Sequence, residues 1–494
     1  MSFGQVPRGA THAGAAGWAT RRQLGPLVVR GVPPGRLVIG TLAARGGRPG
    51  RTLLAAEAAQ SVAVVGPTQS GKTTALAVPA ILGWQGPVLA ASVKTDLLRD
   101  TVSWRRRCGR VWCFDPSGAT GLPASRWSPL PACATWSGAR RVASDLTEVA
   151  HGSGTTADGE FWYATAAKLL APLFFAAAQG GLDMGDVVRW VDTQEVAEVV
   201  DILEAAGVAE ALHAARATWQ RDDRQRSSVY TTAETVLEPF AEPESAARSL
   251  QFSDTPPYGT PAVPGVRSFP WAGEEEVDAT ALLDGPNTLY LCAPAHDQRR
   301  LRAVFCALVK QVLEVAFDRA ARRGRPLDPP LLVVLDEAAN IAPLVDLDGL
   351  AATCAGHGVQ LVTVWQDLSQ VAARYGERGA TVINNHRAKV FLSGTSDPRT
   401  LDHASHLVGE EELLVPSVTR DPSGSRTVTT SPLRRPLLPP EALRQLPVSS
   451  GVLVYGSLPP ARLALRPWFH DADLARRVGG GLDPGPTLRS GGPA

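Results

Sequence analysis

Short apolar runs of strand length alternate with segments of helical spacing in the first part of the chain. The runs occur in RLVIGTLA (36–43), SVAVV (61–65), GPVLAASVKTDLL (86–98) and GRVWCFDPSG (109–118). Apolar residues recur at helical intervals in TTALAVPAILGW (73–84) and TDLLRDTVSWRRR (95–107). Strands that alternate with helices predict a parallel, doubly wound α/β sheet.

The pattern changes from about residue 139 to residue 247. Segments of helical period follow one another there with few strand signals, as in EFWYATAAKLLAPLFFAAA (160–178), TQEVAEVVDILEAAG (193–207) and SSVYTTAETVLEPFAEP (227–243). Strand-like runs resume in NTLYLCAP (287–294) and PLLVVLDEA (330–338). The sequence therefore predicts an all-α domain inserted into the α/β domain.

A glycine-bracketed loop separates the run SVAVV from its helix. Gly66, four further residues, then Gly71, Lys72 and Thr73 form the pattern G-x-x-x-x-G-K-[ST] of a phosphate-binding loop. Backbone N–H groups and the positive end of the helix favour an anion at such a loop. Lys72 would neutralise the β- and γ-phosphates of ATP, and the Thr73 hydroxyl would bind Mg²⁺.

Polar residues follow two later apolar runs. LLVVLDEAAN places Asp336 and Glu337 at a strand end, and VQLVTVWQDLSQ places Gln366 at the next one. Alone, each pattern is weak, because many strands end in polar residues. Together with the phosphate loop, they predict that Asp336 holds Mg²⁺, Glu337 polarises the attacking water and Gln366 contacts the γ-phosphate or that water.

Composition changes this picture little. The chain has 494 residues, 44% of them hydrophobic and 20% charged, which indicates a globular protein with two or three cores. A net charge of +1 means that DNA would have to bind a locally basic surface. The six cysteines include no C-x-x-C pair and predict reduced thiols in a cytoplasmic protein.

No signal sequence is visible, and the apolar stretch 169–178 is too short to span a membrane, so we expect a buried helix there.

Two further groups of polar residues carry weaker hypotheses. His403 and His406 lie three residues apart on a predicted helix, where a surface position explains them better than a metal. Acidic residues are interleaved with Arg221, Arg224 and Arg226. A solvated helix face or loop therefore explains these arginines better than contact with a partner or nucleic acid does.

Several motifs, in this order, resemble the type IV secretion coupling proteins, also called the TraG/TraD-type conjugative DNA-transfer ATPases. Besides the phosphate loop they are VPAILGWQGPVLAASVKTD (78–96), VWCFDPSG (111–118), LDEAANI (335–341), HGVQLVTVWQDLSQ (357–370) and PLLPPEALRQLP (436–447). The resemblance implies a RecA-like P-loop NTPase domain, with a mostly parallel sheet flanked by helices, plus an inserted all-α domain that recognises cargo. It also implies a homo-hexameric ring that moves single-stranded DNA with its relaxase, or protein cargo, towards a secretion channel.

Site residues follow from the matching motifs. The resemblance assigns the phosphate loop to Gly66, Pro67, Thr68, Gln69, Ser70, Gly71, Lys72, Thr73 and Thr74, with Asp336 and Glu337 as the acidic pair and Gln366 as the sensing glutamine. Many members have an arginine where this chain has Ala355, so the identity of any arginine that acts across subunits stays open, with Arg387 and Arg399 as candidates. Members usually start with membrane helices; this chain starts at their soluble part, which implies a separate membrane or channel partner or a cytoplasmic relative peripheral to the inner membrane.

The predicted organisation has five parts. They are an N-terminal segment (1–50), the first part of the nucleotide-binding domain (51–138), the inserted all-α domain (139–250), the second part of the nucleotide-binding domain (251–470) and a disordered tail (471–494). Two alternatives to a single-stranded DNA motor stay open. One is a nucleotide-gated adaptor that recruits cargo without translocation, and the other is an FtsK/HerA-like translocase of duplex DNA. For the assembly, the alternative to a stable homo-hexamer is a monomer in the absence of DNA.

Overall fold

The computed structural model describes residues 16–44, 48–151, 157–241, 275–420 and 426–479. Its strands, numbered along the chain, are β1 (Val28–Val29), β2 (Val38–Leu42), β3 (Leu53–Ala55), β4 (Val62–Val65), β5 (Val88–Ser92), β6 (Val111–Phe114), β7 (Thr288–Cys292), β8 (Leu331–Asp336), β9 (Val359–Trp365), β10 (Ala388–Leu392), β11 (Glu410–Arg420), β12 (Arg426–Pro436), β13 (Ser450–Tyr455) and β14 (Ala461–Ala464).

The helices connect and cover these strands. They are α1 (Val78–Gly83), α2 (Asp96–Cys108), α3 (Trp136–His151), α4 (Ala157–Gly180), α5 (Met184–Thr193), α6 (Ala197–Ala206), α7 (Ala209–Trp219), α8 (Asp223–Leu237), α9 (Ala279–Leu282), α10 (Gln298–Arg323), α11 (Ala338–Ile341), α12 (Leu347–His357), α13 (Leu368–Tyr375), α14 (Arg378–Asn385), α15 (Pro398–Val408), α16 (Pro440–Arg444) and α17 (Ala472–Val478). A π-helical turn, Thr73–Ala77, precedes α1.

Within the described ranges, twelve strands form one sheet in the order β1-β3-β2-β14-β13-β10-β4-β9-β8-β5-β7-β6. The part from β10 to β6 is parallel. The strands from β13 to β1 extend it in antiparallel pairing. The predicted α/β class is therefore confirmed. The parallel part holds the predicted strands except RLVIGTLA, which forms β2 in the antiparallel part.

Side chains of successive strand residues point to opposite faces of this sheet, and both faces are buried. On β8, Leu331, Val333 and Leu335 join one hydrophobic core, and Leu332 and Val334 join the other. Both sets are fully buried. This is why the parallel strands are continuous apolar runs in the sequence, without polar residues at alternate positions.

A helical unit, α3 to α8, lies in the connection between the neighbouring parallel strands β6 and β7. Trp190 of α5 and Tyr230 of α8 are buried in the same hydrophobic core as one face of the sheet. Lys310 of α10 binds Asp145 of α3 at 2.9 Å, so an ion pair also joins the unit to the sheet domain. The borders predicted for this insertion stay a prediction.

Helix α4 is longer than its apolar stretch suggested. Its segment Gly159–Gly180 is, in the part of the chain that the structure describes, the one helix long and apolar enough to cross a membrane. Of its most apolar window, 61% is buried inside the fold. Leu169, Leu170 and Phe174 are fully buried, which confirms the prediction of a buried helix and is typical of a core helix.

Two regions differ from the sequence-based expectations. The predicted disordered tail, 471–494, contains the helix α17, whose Arg477 donates to the Leu82 carbonyl at 2.7 Å and covers the ring of Trp104. Residues 480–494 lie outside the described residues. The hairpin β11–β12 was not predicted, because its strands are largely exposed and carry no alternation of apolar and polar residues.

Arg105 of α2 holds the amino ends of β5 and β7 together. This fully buried guanidinium donates to the carbonyl oxygens of Trp84 (2.7 Å), Gly86 (2.9 Å), Pro286 (2.8 Å) and Asn287 (3.3 Å), and to the Thr288 hydroxyl (2.7 Å). Burial lowers its pKa. Since all these acceptors are backbone or side-chain oxygens without charge, Arg105 acts as a structural cross-link.

Buried His386 connects α14 with β9. The Thr363 hydroxyl donates to its Nε2 at 3.0 Å and its Nδ1–H donates to the Val382 carbonyl at 2.7 Å, an arrangement that suits the neutral ring. Burial, with a smaller contribution from Lys389, lowers its pKa to about 4.

Replacing Arg105 with Leu leaves several buried carbonyls without a donor, and each such loss costs about 1–3 kcal/mol. We expect Arg105→Leu to lower the free energy of unfolding by about 3 kcal/mol or more, measured by urea unfolding. Arg325→Leu, at an exposed position after α10, is the control and should cost less than about 1 kcal/mol. Equal effects of the two substitutions would contradict the cross-link.

The low pKa of His386 predicts a pH dependence of stability. Its folded-state pKa of about 4 lies below the ordinary value of 6.5, so its contribution is complete above pH 6.5 and is lost as pH falls towards 4. The loss is about 3 kcal/mol. Urea unfolding between pH 7.5 and 4.5 should show this decline in the native protein and a smaller decline in His386→Gln. Parallel pH profiles would show that another group is responsible.

Candidate functional site

The phosphate loop leaves β4 at Gly66 beside the end of β9. The Gly66 N–H donates to the Trp365 carbonyl at 3.1 Å. A Cβ at Gly66 would lie 2.7 Å from the Leu392 Cβ, so no other residue fits there without displacing β10. Gly71 has φ +94°, a conformation that strongly favours glycine. The motif thus requires its two glycines for different reasons. A side chain at Gly66 would collide with Leu392, and Gly71 has a backbone conformation that other residues rarely adopt.

Lys72 lies under this loop and is 8% exposed. Its ammonium donates to the carbonyls of Pro67, at 2.7 Å, and of Gly66. Burial lowers the pKa of Lys72, while the nearby carboxylates of Asp336 and Glu337 oppose that effect. Burial removes water from the Lys72 ammonium. An anion whose oxygens take the place of that water would therefore bind favourably here.

The acidic strand meets the loop through Asp336. The Thr73 hydroxyl donates to Asp336 Oδ2 at 3.0 Å, and the Ser92 hydroxyl donates to the same oxygen at 3.3 Å. Burial raises the pKa of Asp336 to about 6, and the Thr73 hydrogen bond opposes this rise. Burial alone disfavours the ionised carboxylate of Asp336. A cation bound beside it would stabilise that ionised form.

The pair Thr73 and Asp336 fits a magnesium ion. Mg²⁺ prefers oxygen ligands at about 2.1 Å in an octahedron, whose adjacent corners are about 3 Å apart. The two oxygens are separated by 3.0 Å. These are the residues that the sequence assigned to the metal, and their distance is compatible with that assignment.

Glu337 is held in an unusual backbone conformation. Its φ of +64° lies in the left-handed region, which costs a residue with a side chain about 1 kcal/mol or more. Asn340 donates to Glu337 Oε2 at 3.2 Å and orients the carboxylate. Gln69 of the phosphate loop also has a positive φ, +65°. Strain of this kind on both sides of one site indicates a functional constraint.

Gln366 follows β9, which lies between β4 and β8 in the sheet. Its N–H donates to the Gln370 side chain at 3.1 Å. The next residue, Asp367, is close enough that its charge raises the pKa of Lys72. The structure therefore brings the predicted phosphate loop, acidic pair and glutamine to one edge of the sheet, and their catalytic roles stay predictions.

The candidate arginines lie in different places. Arg387 comes directly before β10, at the opposite edge of the parallel sheet, and its Nε is 3.2 Å from a carboxylate oxygen of Glu57. Arg399 is exposed in the first turn of α15, which follows the carboxyl end of β10. Position 355, where the resemblance led us to expect an arginine, is the Ala355 of α12.

The structure places the two weaker groups of polar residues at or near α8 and on α15. Arg224 and Arg226 lie on α8, where Arg224 is exposed and Arg226 pairs with Asp223 at 2.8 Å, in agreement with the favoured interpretation of a solvated helix face. His403 and His406 lie on α15, with His403 against the ring of Phe391.

Sequence reasoning missed Ser92, Lys94 and Asn340. Ser92 is the last residue of β5, Lys94 lies in the turn that follows, and the Lys94 N–H donates to the Ser92 hydroxyl at 3.2 Å. Polar residues directly after the apolar run VLAA (88–91) were the available signal, because β5 is the parallel neighbour of β8. That neighbour relation could not be obtained from the pattern of runs.

Two family models match consecutive parts of the chain. Residues 28–251 match the model described as "Type IV secretory system Conjugative DNA transfer", and residues 330–448 match the one described as "TraM recognition site of TraD and TraG". Conjugal transfer protein TraG of Escherichia coli is 24% identical over 423 residues, which are 78% of this chain and 62% of the relative. The chain thus spans about three fifths of the length of the curated relatives it matches.

Solved structures share the fold at low identity. The bacterial conjugative coupling protein TrwBdeltaN70, in an unbound form, has a TM-score of 0.62 and 18% identity over 89% of this chain and 95% of that one. Plasmid coupling protein TrwB in complex with ADP and Mg²⁺ has a TM-score of 0.59 and 18% identity, over 88% and 96% of the two chains. The predicted RecA-like fold and the family resemblance are confirmed: the chain belongs to the type IV secretion coupling protein family.

Proposed function

We propose that this protein is an ATP-driven motor that moves DNA towards a type IV secretion channel. The observation that carries this proposal is the contact between the Thr73 hydroxyl and Asp336, at 3.0 Å, which brings the phosphate loop and the acidic strand into one site. Nucleotide as the substrate is supported by the loop itself and by the similar structure of TrwB, which contains ADP and Mg²⁺.

In the proposed hydrolysis, the N–H groups of residues 66–74 bind the phosphates and Lys72 neutralises the β- and γ-phosphate oxygens. When bound by Thr73 and Asp336, Mg²⁺ supplies further neutralisation of the charge that develops during phosphoryl transfer. Glu337, held by Asn340, orients the attacking water and accepts its proton.

Gln366 is the proposed sensor of the γ-phosphate. It directly follows β9, the strand between the phosphate-loop strand and the acidic strand. Any movement of its side chain on hydrolysis acts on α13, which begins at Leu368. Gln366 is therefore well placed to pass the state of the nucleotide to the rest of the subunit.

The remaining roles extend this proposal. We propose single-stranded DNA with its relaxase, or a protein, as the cargo, recognised by the helical unit α3 to α8. A homo-hexameric ring would carry the DNA, with the protein at the inner face of the cell membrane and bound to a separate membrane or channel protein. The family models and the relative TraG, a conjugal transfer protein, support this setting.

Substitutions in the site should separate binding from turnover. Lys72→Ala removes a charged contact worth about 1.5–3 kcal/mol and should weaken ATP binding by about tenfold or more. Glu337→Gln should keep ATP binding and lower kcat by about 10²–10⁴-fold, since it removes the base but not the phosphate contacts. Fluorescent-nucleotide titration and phosphate release measure the two effects.

Lys168→Ala and Glu234→Gln, both on exposed positions of the helical unit, are the matched controls and should leave binding and turnover unchanged. Normal turnover by Glu337→Gln would show that another residue is the base.

A DNA motor should hydrolyse ATP faster when DNA is present. We expect a single-stranded oligonucleotide to stimulate the ATPase rate severalfold at low salt and less as salt rises, because phosphate contacts are lost to counterions. A rate indifferent to DNA would favour the nucleotide-gated adaptor. Stimulation by duplex DNA alone would favour the FtsK/HerA-like alternative.

A further inference from the structure

The turn after β5 forms a second wall of the nucleotide site. β5 is the parallel neighbour of β8, and Ser92 is the register partner of Asp336. Lys94 lies two residues beyond Ser92, and the chain re-enters a helix at Asp96. Because carboxyl ends of parallel strands meet at one edge, Lys94 lies at the edge that holds Asp336 and Glu337.

Hydrogen bonds fix this turn to the acidic strand. Ser92 is 2% exposed, its hydroxyl donates to Asp336 Oδ2 at 3.3 Å, and it accepts from the Lys94 N–H at 3.2 Å. The backbone of Lys94 is thus two hydrogen bonds away from the proposed metal-binding oxygen. A displacement of Asp336 would therefore move the backbone of Lys94, and a displacement of Lys94 would move Asp336.

The ammonium of Lys94 is available. The side chain is exposed, and among the described residues it has no hydrogen bond or ion pair. Its charge lowers the pKa of Lys72, so the two cations are close enough to affect each other. Two lysines that repel each other at a protein edge are unfavourable unless an anion lies between or beside them.

Lysine is rare in this chain: only five of its 49 basic residues are Lys. Two of the five, Lys72 and Lys94, lie at the phosphate edge. Lysine is a compact point charge, whereas arginine is a planar fork. A chain whose basic residues are mostly arginine therefore has two compact cations where a phosphate chain is proposed to bind. Position 355, where the resemblance led us to expect an arginine, is Ala355 and supplies no cation.

We propose that Lys94 is a second phosphate-binding cation of the site, which contacts the γ-phosphate from the same subunit and neutralises the charge of the transition state. This rests on the proposed ATPase function. During hydrolysis, the water oxygen bonds to the γ-phosphorus while the bond to the bridging oxygen breaks, and its electron pair stays on ADP. Glu337 takes the proton of the water, and Lys94 keeps its own proton throughout.

The test compares Lys94→Ala, Lys94→Arg and, as the control, Lys168→Ala in the full chain. Lys168 is an exposed lysine of α4, distant in sequence from the site. Phosphate release gives kcat, and titration with ADP and with a non-hydrolysable ATP analogue gives the preference for the γ-phosphate. For Lys94→Ala we expect kcat to fall by about 10²-fold and the preference for the analogue over ADP by about tenfold. Lys94→Arg should restore part of both, and Lys168→Ala should match the native protein.

Native kcat and native analogue preference in Lys94→Ala would overturn the proposal and leave the ATPase function intact. Absence of hydrolysis by the native protein would overturn the proposed function, and the ratio of analogue to ADP affinity would still decide whether Lys94 contacts the γ-phosphate. Equal weakening of ADP and analogue binding in Lys94→Ala would assign it to the other phosphates and also contradict the proposal. Unchanged melting temperatures of the variants exclude a folding defect.

Discussion

The hydrogen bond from the Thr73 hydroxyl to Asp336 joins residues 263 positions apart, and the site depends on it. It forms because β4, β9, β8 and β5 run parallel in that order, so their carboxyl ends meet at one edge. A shift of one residue along β8 would turn Asp336 to the other face of the sheet. Burial of both sheet faces opposes that shift, because every apolar side chain of β8 would have to repack in the opposite core.

The same parallel arrangement explains how a helical unit can be carried without disturbing the site. Neighbouring parallel strands always need a long connection, and the one from β6 to β7 contains α3 to α8. Lys310 binds Asp145 of this unit and lies 3.7 Å from Asp346, in the segment after the acidic strand. A largely buried ammonium between these carboxylates keeps the unit and the acidic segment in fixed relation, since separation would leave its charge unpaired.

Charge and strain at the site oppose the stability of the isolated protein. Burial raises the pKa of Asp336 and lowers that of Lys72, and Glu337 has a left-handed backbone conformation. Each feature is unfavourable for folding and favourable for binding a metal and a phosphate chain. Arg105 has the opposite character: its buried charge is fully surrounded by oxygens at the amino edge of the sheet, and it stabilises the fold from there.

The sequence by itself determined the parallel strands except β10, the phosphate loop, the acidic pair, Gln366 and the helical character of the insertion. Buried strands are continuous apolar runs, and the loop has a fixed residue spacing, so both are local properties. The tertiary structure alone decided that Ser92 and Lys94 adjoin Asp336, and that the short strands β1 to β3 extend the sheet. Strand order and contacts across hundreds of residues are set by packing of both sheet faces, and no local pattern records them.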